Sequence, residues 1–413
     1  MAKESIVIVG TGWAGYTFLQ DVDSDRFDVT VISPEATSPY TPLLASAACG
    51  LFDFSLAEEP VRRYSRRFKY FQAFVDDVDF AEKRCSCSSA IEGTSEKFSI
   101  QYDYIVLAPG CVTNTFGTPG ADEFAFFVRN VSDAKKVQQR VQQLLERASL
   151  PGVTVSEQRA LLHIAVIGGG PTGVEISAEL SDLFNKDFAA LYPDLAGKMT
   201  ITIYDAAHFI LGAFEESLRD YAIASFSKRN VQILADARIL RVSSDTITVK
   251  DHGDVRCGMV IWVTGNKQCS LVDRLDVAKS GRLPRILTDN SLRALQPNGK
   301  PMTQVFAIGD AADINNVSLP TTAEVAVQKA KFLAAAFNGA DFDKDFTYQQ
   351  KALVAYIGGH DGVVQGKAGW TGQRAWRAWR GKNLFWTRSW RRKYMIVANW
   401  VWNWLDGREL ARA

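Results

Sequence analysis

The residues in this chain whose types and spacing could do chemistry are glycines and carboxylates. Gly10-Thr11-Gly12-Trp13-Ala14-Gly15 and, far downstream, Gly168-Gly169-Gly170-Pro171-Thr172-Gly173 share the spacing of a phosphate-cradling turn. In such a turn the first glycine permits a sharp reversal and the second lets the backbone approach a pyrophosphate. The third lets the following helix lie close on its strand. The helix start then presents free N–H groups and a positive dipole end to the phosphates. A single GxGxxG is a weak signal, so its surroundings and its repetition carry the argument.

The flanking elements have the required order. "SIVIVG" is a short apolar, β-branched run typical of a buried parallel strand, and "AGYTFLQDVD" has helical spacing. "HIAVIGGGPTGVEISAEL" repeats strand, turn and helix. After the first unit, "DVTVIS" ends in Ser33-Pro34-Glu35, where either Ser33 or Glu35 could bind the adenosine ribose. After the second, "MTITIYD" ends at Asp205, whose carboxylate would accept from a ribose 2′-OH and repel a 2′-phosphate. That favours NADH over NADPH. "YDYIVLAPG" closes on Ala108-Pro109-Gly110, and "VIWVTGN" repeats the form at Thr264-Gly265. "VFAIGDAA" places Gly309-Asp310 at a strand's carboxyl end, where the aspartate can reach the ribityl or pyrophosphate region of a flavin nucleotide. The expected fold is therefore α/β, with two Rossmann-like dinucleotide-binding domains, FAD on the first and a nicotinamide on the second.

Composition excludes several alternatives. Lys plus Arg (47) and Asp plus Glu (46) nearly cancel over the 413 residues, so the whole molecule lacks the charge of a nucleic-acid binder. The six cysteines fit no zinc spacing, and four histidines make a His-based metal centre unexpected. No CxxC or CxxxxC follows the first glycine turn, so a dithiol relay is not expected and electrons must leave the flavin directly. Met1-Ala2-Lys3-Glu4 runs straight into the first strand. The expectation is no signal or transit peptide, and an intracellular protein on the cytoplasmic side.

"GTGWAGYTFLQDVD", "ISPEATSPYTPLLASAACG", "TNTFGTPGADEFAFFVRNVSDAKKV", "IGGGPTGVEISAEL", "LPTTAEVAVQKAKFLA" and "ALVAYIGGHDGVVQG" resemble the type II NADH dehydrogenases, the single-subunit, non-pumping NADH:quinone oxidoreductases. The resemblance spans essentially the whole chain and keeps the motif order. It implies a homodimer whose C-terminal segment lies on a membrane surface. It also implies hydride transfer from NADH to the flavin, followed by two-electron reduction of a quinone. It adds Thr41, Pro42, Leu43, Thr322 and Ala323 to the cofactor-binding residues. By the same likeness Glu175 lies close to the nicotinamide, although an acid at a helix start is equally satisfied by the dipole.

Two departures bear on function. Where the family carries two glutamines at the quinone head, this chain has Glu324 and Gln328. A glutamine can donate to a quinone carbonyl, whereas an ionised glutamate only accepts. Glu324 therefore reads as a proton carrier, as a selector of another acceptor, or as a tolerated change. The tail is the second departure: eight of the ten tryptophans lie between Trp370 and Trp404, interleaved with basic residues. Trp390, Tyr394, Val397, Val401 and Leu405 fall at helical spacing beside Arg391, Arg392 and Lys393, as in a helix lying among anionic headgroups. Packing on the protein or on a second subunit is the alternative.

The expected organisation is an FAD domain over 1–115 and 285–345, an NADH domain over 116–284, and a membrane or dimer segment over 346–413. Two rival functions keep the scaffold. One is a soluble flavoenzyme acting on a quinone-like metabolite, and the other is a slow-turnover redox sensor similar to apoptosis-inducing-factor relatives.

Overall fold

The computed structural model describes residues 3–64, 66–281, 283–366 and 369–408. Met1 and Ala2, on which the leader expectation rests, and residues 409–413 of the tail lie outside the described residues, as do Ser65, Arg282, Lys367 and Ala368. In chain order, the first elements that position the sites are β1 (Glu4–Val9), α1 (Trp13–Asp21), β2 (Phe27–Ser33), α2 (Leu44–Ala48), β3 (Lys69–Asp79) and β4 (Tyr104–Leu107). The second glycine turn brings β5 (His163–Ile167), α3 (Pro171–Asp182), β6 (Thr200–Tyr204), β7 (Val231–Leu234) and β8 (Met259–Trp262). Then follow β9 (Pro301–Ala307), α4 (Ala323–Phe337), β10 (Leu353–Gly358), β11 (Asp361–Gln365), α5 (Gly372–Trp386) and α6 (Trp390–Asp406).

The chain forms two compact units. The first gathers the segment up to Pro39, Glu59–Val112 and Asn266–Gln350. Its parallel core runs β9-β4-β1-β2-β3, with Ile6 opposite Val29 on one side and Tyr104 on the other. Strand side chains alternate, so Ile6 and Ile8 enter a cluster with Phe18 and Phe337 while Val7 and Val9 enter another with Ile105 and Leu107. Both faces are covered, which explains a run with no polar interruption. Phe337 of α4 meets Phe18 of α1 edge-to-face at 5.4 Å and Phe306 of β9 at 5.3 Å, locking the two helices over one face.

The second unit comprises Tyr40–Glu58, Thr113–Gly265 and Lys351 onward. Its parallel sheet runs β7-β6-β5-β8, the nucleotide-fold order, and β10 and β11 form an antiparallel hairpin. The hairpin turn carries three successive left-handed residues, Gly358 (φ +92°), Gly359 (+58°) and His360 (+63°). Among the described residues no helix is long and apolar enough to cross a membrane.

These bounds differ from the expected ones in three places. The segment after Gly265 joins the first unit because Leu271, Val272, Leu275 and Val277 are buried in its core. Tyr40–Glu58, with Thr41, Pro42 and Leu43, joins the second, where Ser46 donates to Glu179 (2.8 Å). Residues from Lys351 also join the second, since Tyr356 of β10 donates through its hydroxyl to Asp182 of α3.

Candidate functional site

The two glycine turns are crowded and open at corresponding positions. Gly10 adopts φ +97°, and a Cβ on it would lie 2.3 Å from the Ala108 carbonyl oxygen. A Cβ on Gly15 would lie 2.0 Å from the Gly10 carbonyl oxygen. In the second turn Gly168 has φ +119°, with Thr264 crowding its Cβ position at 2.8 Å, and Gly173 would bring a Cβ to 1.9 Å from the Gly168 carbonyl oxygen. No side chain fits at these places. Gly12 and Gly170, by contrast, have nothing within 4 Å of a built Cβ. Each is the N-cap of its helix, with no side-chain cap and no acid in the first turn. Trp13 and Ala14 open α1, and Pro171 and Thr172 open α3. Pro171 costs α3 no hydrogen bond there, because the first N–H of a helix has no intrahelical partner. Each helix N-terminus thus opens at its middle glycine with no side-chain cap of its own, and its first N–H groups and positive dipole end suit a pyrophosphate there.

In the first unit Ser33 is buried and exchanges a hydroxyl bond with Thr11 (2.9 Å). It also accepts from the Glu35 N–H (3.3 Å). Glu35 itself is exposed beyond Pro34. Gly309 (φ +75°) presses on Ala14, where a Cβ would come within 2.9 Å. Asp310 follows at the end of β9 and accepts from the Cys111 thiol (3.5 Å), one residue beyond Pro109-Gly110. Thr322 caps α4 by accepting from the Val325 N–H (3.3 Å), and Ala323 is that helix's first residue.

Glu324 and Gln328 lie one turn apart on α4. The Gln328 Nε2 donates to Glu324 Oε1 (2.7 Å) and to the Gln349 carbonyl (2.9 Å), while its Oε1 accepts from the Gln349 N–H (3.0 Å). Both amide hydrogens therefore have acceptors within the chain. Any other acceptor reaches that amide only in competition with Glu324 or Gln349. Behind them Lys329 is buried and donates to the Ala312 carbonyl (3.1 Å), and burial pulls its ammonium down to about 8.

In the second unit Asp205 sits at the tip of β6. Its carboxylate accepts from the Gly169 N–H (2.5 Å) and the Ala207 N–H (2.8 Å), each oxygen keeping a further lone pair. Gly265 has φ +75° at the end of β8. Thr41, Pro42 and Leu43 form a short 3-10 turn leading into α2.

Glu175 is buried inside the second unit. Its Oε1 accepts from the Trp379 indole N–H (2.8 Å) and the Tyr356 N–H (3.5 Å). Burial pushes its carboxyl up to about 8 against those two bonds, and the neighbouring Glu179 adds to the rise. Glu175 is therefore a carboxylic acid at neutral pH. It heads a row that the sequence reading did not single out. Glu179 and Asp182 follow it on the same buried face of α3. Asp182 accepts from the Tyr356 hydroxyl and from the Gly359 N–H (2.9 Å). The available signal was the spacing of the three acids, four and three residues apart, within an otherwise small and apolar helix.

No two cysteines form a disulfide among the described residues. In the tail, α5 buries Ala375, Trp379 and Asn383, whereas α6 buries only Ile396. Trp390 (84% exposed), Tyr394 (75%), Val401 (51%) and Leu405 (65%) line one outward stripe of α6.

Residues 4–330 match the family model described as pyridine nucleotide-disulphide oxidoreductase. A probable NADH dehydrogenase of Dictyostelium discoideum is 32% identical over 99% of this chain and 91% of its own length. The mitochondrial internal alternative NAD(P)H-ubiquinone oxidoreductase A1 of Arabidopsis thaliana is also 32% identical, over 99% of this chain and 86% of its own length. The structure of NDH2 from Plasmodium falciparum in complex with NADH superposes with a TM-score of 0.93, covering 100% of both chains at 25% identity.

Proposed function

The chain belongs to the pyridine nucleotide-disulphide oxidoreductase family, and from that premise we propose how its own residues serve an FAD-dependent NADH:quinone oxidoreductase. FAD, when bound, supplies a two-electron centre between NADH and the quinone. The open α1 N-terminus at Gly12 holds the FAD pyrophosphate. Glu35 binds its adenosine ribose, because Ser33 is buried and engaged by Thr11. Asp310 takes the flavin side of the same cradle.

The α3 N-terminus at Gly170 holds the NADH pyrophosphate, and Asp205 receives the ribose hydroxyls. Glu175, neutral below about pH 8, keeps beside the nicotinamide end of that helix a proton on which quinone reduction draws. Glu324 holds Gln328 through its amide and so sets how readily Gln328 turns to a quinone carbonyl. The outward stripe of α6 rests on an anionic membrane surface from which the quinone enters. Lys393 and Arg391 flank that stripe, the pairing of tryptophan with basic residues that interfacial helices use. The stripe makes the enzyme peripheral to the membrane, and the resemblance to the type II NADH dehydrogenases adds a homodimer.

The observation that carries this reading is the pair of glycine turns, each with its outer glycines walled in and its middle glycine open. Gly12→Ala and Gly170→Ala separate the two assignments. Gly12→Ala is expected to fold but to purify with little FAD, read as flavin released per polypeptide. Gly170→Ala is expected to keep its FAD and raise KM for NADH. Equal flavin loss in both variants would contradict the assignment.

A further inference from the structure

The tail helix α6 is lightly held for its length. Its start is held by Arg392, which donates to the Ser55 carbonyl (3.5 Å), and by Lys393, which donates to the Thr387 carbonyl; its middle is held by Ile396 and by Trp400 under the Arg380 guanidinium (4.5 Å). The ties that reach α2 and α3 lie at its far end. There the Asn403 side chain donates to the Leu51 carbonyl (2.8 Å), and the chain turns through Gly407 (φ +78°). Arg408 then folds back into the protein. Its Nη1 donates to the Cys49 carbonyl (3.0 Å), and its Nη2 lies 3.3 Å from Glu179 Oε2. Its Nε lies 3.4 Å from Asp187, whose carboxylate also accepts from the Arg408 N–H (3.1 Å). The guanidinium keeps only 11% of its exposure, and Glu179 keeps 2%.

Each contact answers a physical need. Leu51 and Cys49 follow α2, whose last carbonyls have no intrahelical partner, and a cation there also suits the helix dipole. Glu179 is a buried carboxylate that requires a counter-charge. Ser46 of α2 donates to the other Glu179 oxygen (2.8 Å), so Arg408, Glu179, Ser46 and the Cys49 carbonyl close a ring across α6, α3 and α2.

We propose that Arg408 is a positioning residue: by seating on Glu179 it couples the docking of the tail helix to the protonation of Glu175 one turn away on α3. This rests on the reading that Glu175 serves quinone reduction. Glu175 faces Trp379 and Lys382 from α5, Tyr356 from β10 and Glu179 from its own helix. Glu179 in turn faces Arg408, Asp182, Ser46 and Arg380, with Cys49 and Tyr356 beside it. Burial raises the proton affinity of Glu179 and Arg408 opposes that rise, so seating Arg408 favours the Glu179 anion, whose charge raises the affinity of Glu175 for a proton. With Arg408 withdrawn, burial leaves Glu179 neutral, that repulsion vanishes, and Glu175 releases its proton more readily.

The test is the pH profile of kcat for a short-chain ubiquinone analogue, measured on the holoenzyme. Wild type is expected to lose rate as Glu175 deprotonates, near pH 8. Arg408→Gln is expected to move that midpoint down by about one unit. Arg408→Lys is expected to restore most of the shift. Glu179→Gln is expected to move the midpoint in the same direction, and Arg408→Gln added to it to move it no further. Turnover with ferricyanide, which takes electrons without protons, is expected to be unchanged in Arg408→Gln.

A uniformly lower kcat with the midpoint in place would reduce Arg408 to a structural tie and overturn the proposal. So would additive shifts in the double variant. Glu175→Gln separates the two levels. If it abolishes the midpoint while Arg408→Gln leaves it, the coupling fails alone; if Glu175→Gln leaves the midpoint intact, the reading of Glu175 fails and the coupling with it.

Discussion

Asp205 grips two backbone N–H groups, those of Gly169 and Ala207, and this fixes its carboxylate at the lip of the second glycine turn. On the proposal that Asp205 receives the NADH ribose, its carboxylate would discriminate against a 2′-phosphate by repulsion. Asp205→Asn is expected to raise kcat/KM for NADPH relative to NADH by about tenfold, the worth of roughly 1.4 kcal/mol. An unchanged NADPH to NADH ratio would remove Asp205 from the ribose site. Glu175 makes a different demand on the chain. Its native carboxyl titrates at about 8 against an ordinary 4.5, so between those values the native state holds a proton that the unfolded state has lost. Stability therefore falls as pH rises across that window, by up to about 1.4 kcal/mol per unit from this group, and is flat above it. Glu175→Gln keeps an acceptor for Trp379 and has no proton to lose. Its thermal midpoint is expected to gain on wild type steadily from pH 5.5 to 8. A gap independent of pH would show that Glu175 is not held neutral.

The element that exposes most apolar surface is α6. Trp390 and Trp404 are 84% and 81% exposed, and a buried aromatic of that size contributes about 1.5–3 kcal/mol. Pairing Trp390→Ser with Trp404→Ser is expected to weaken sedimentation with phosphatidylglycerol vesicles by at least about tenfold, leaving NADH oxidation by ferricyanide intact. Unchanged vesicle binding with a smaller particle in sedimentation velocity would assign the stripe to subunit contact. The sequence made α6 legible because its stripe is periodic and local. β1, α1, β5 and α3 were legible for the same reason, since each turn's glycines, strand and helix are contiguous. The acid row was not. Glu175 meets Trp379 across 204 residues, and Asp182 meets Tyr356 across 174. An acid on a helix reads as solvated until the hairpin of β10 and β11 is known to cover it. The boundary after Gly265 escaped for a similar reason, because Leu271 and Val272 lie on only a short helix, Ser270–Arg274, whose partner strands lie far back in the chain. Gln328 was placed by resemblance at a quinone carbonyl; the structure adds that Glu324 and Gln349 already engage its amide.

At the scale of the whole molecule, each compact unit carries one glycine turn at the carboxyl ends of its own parallel sheet. This duplication gives one chain two places whose local geometry fits a dinucleotide. The chemistry is then divided into two half-reactions, each of which can be observed separately through the flavin. The most direct test mixes the yellow protein anaerobically with NADH and follows flavin absorbance, then adds a short-chain ubiquinone analogue. The account predicts rapid bleaching by NADH and rapid return of the oxidised spectrum with quinone, both at rates no slower than turnover. Bleaching without return on quinone addition would contradict it, and would leave a flavoprotein that takes electrons from NADH for some other acceptor.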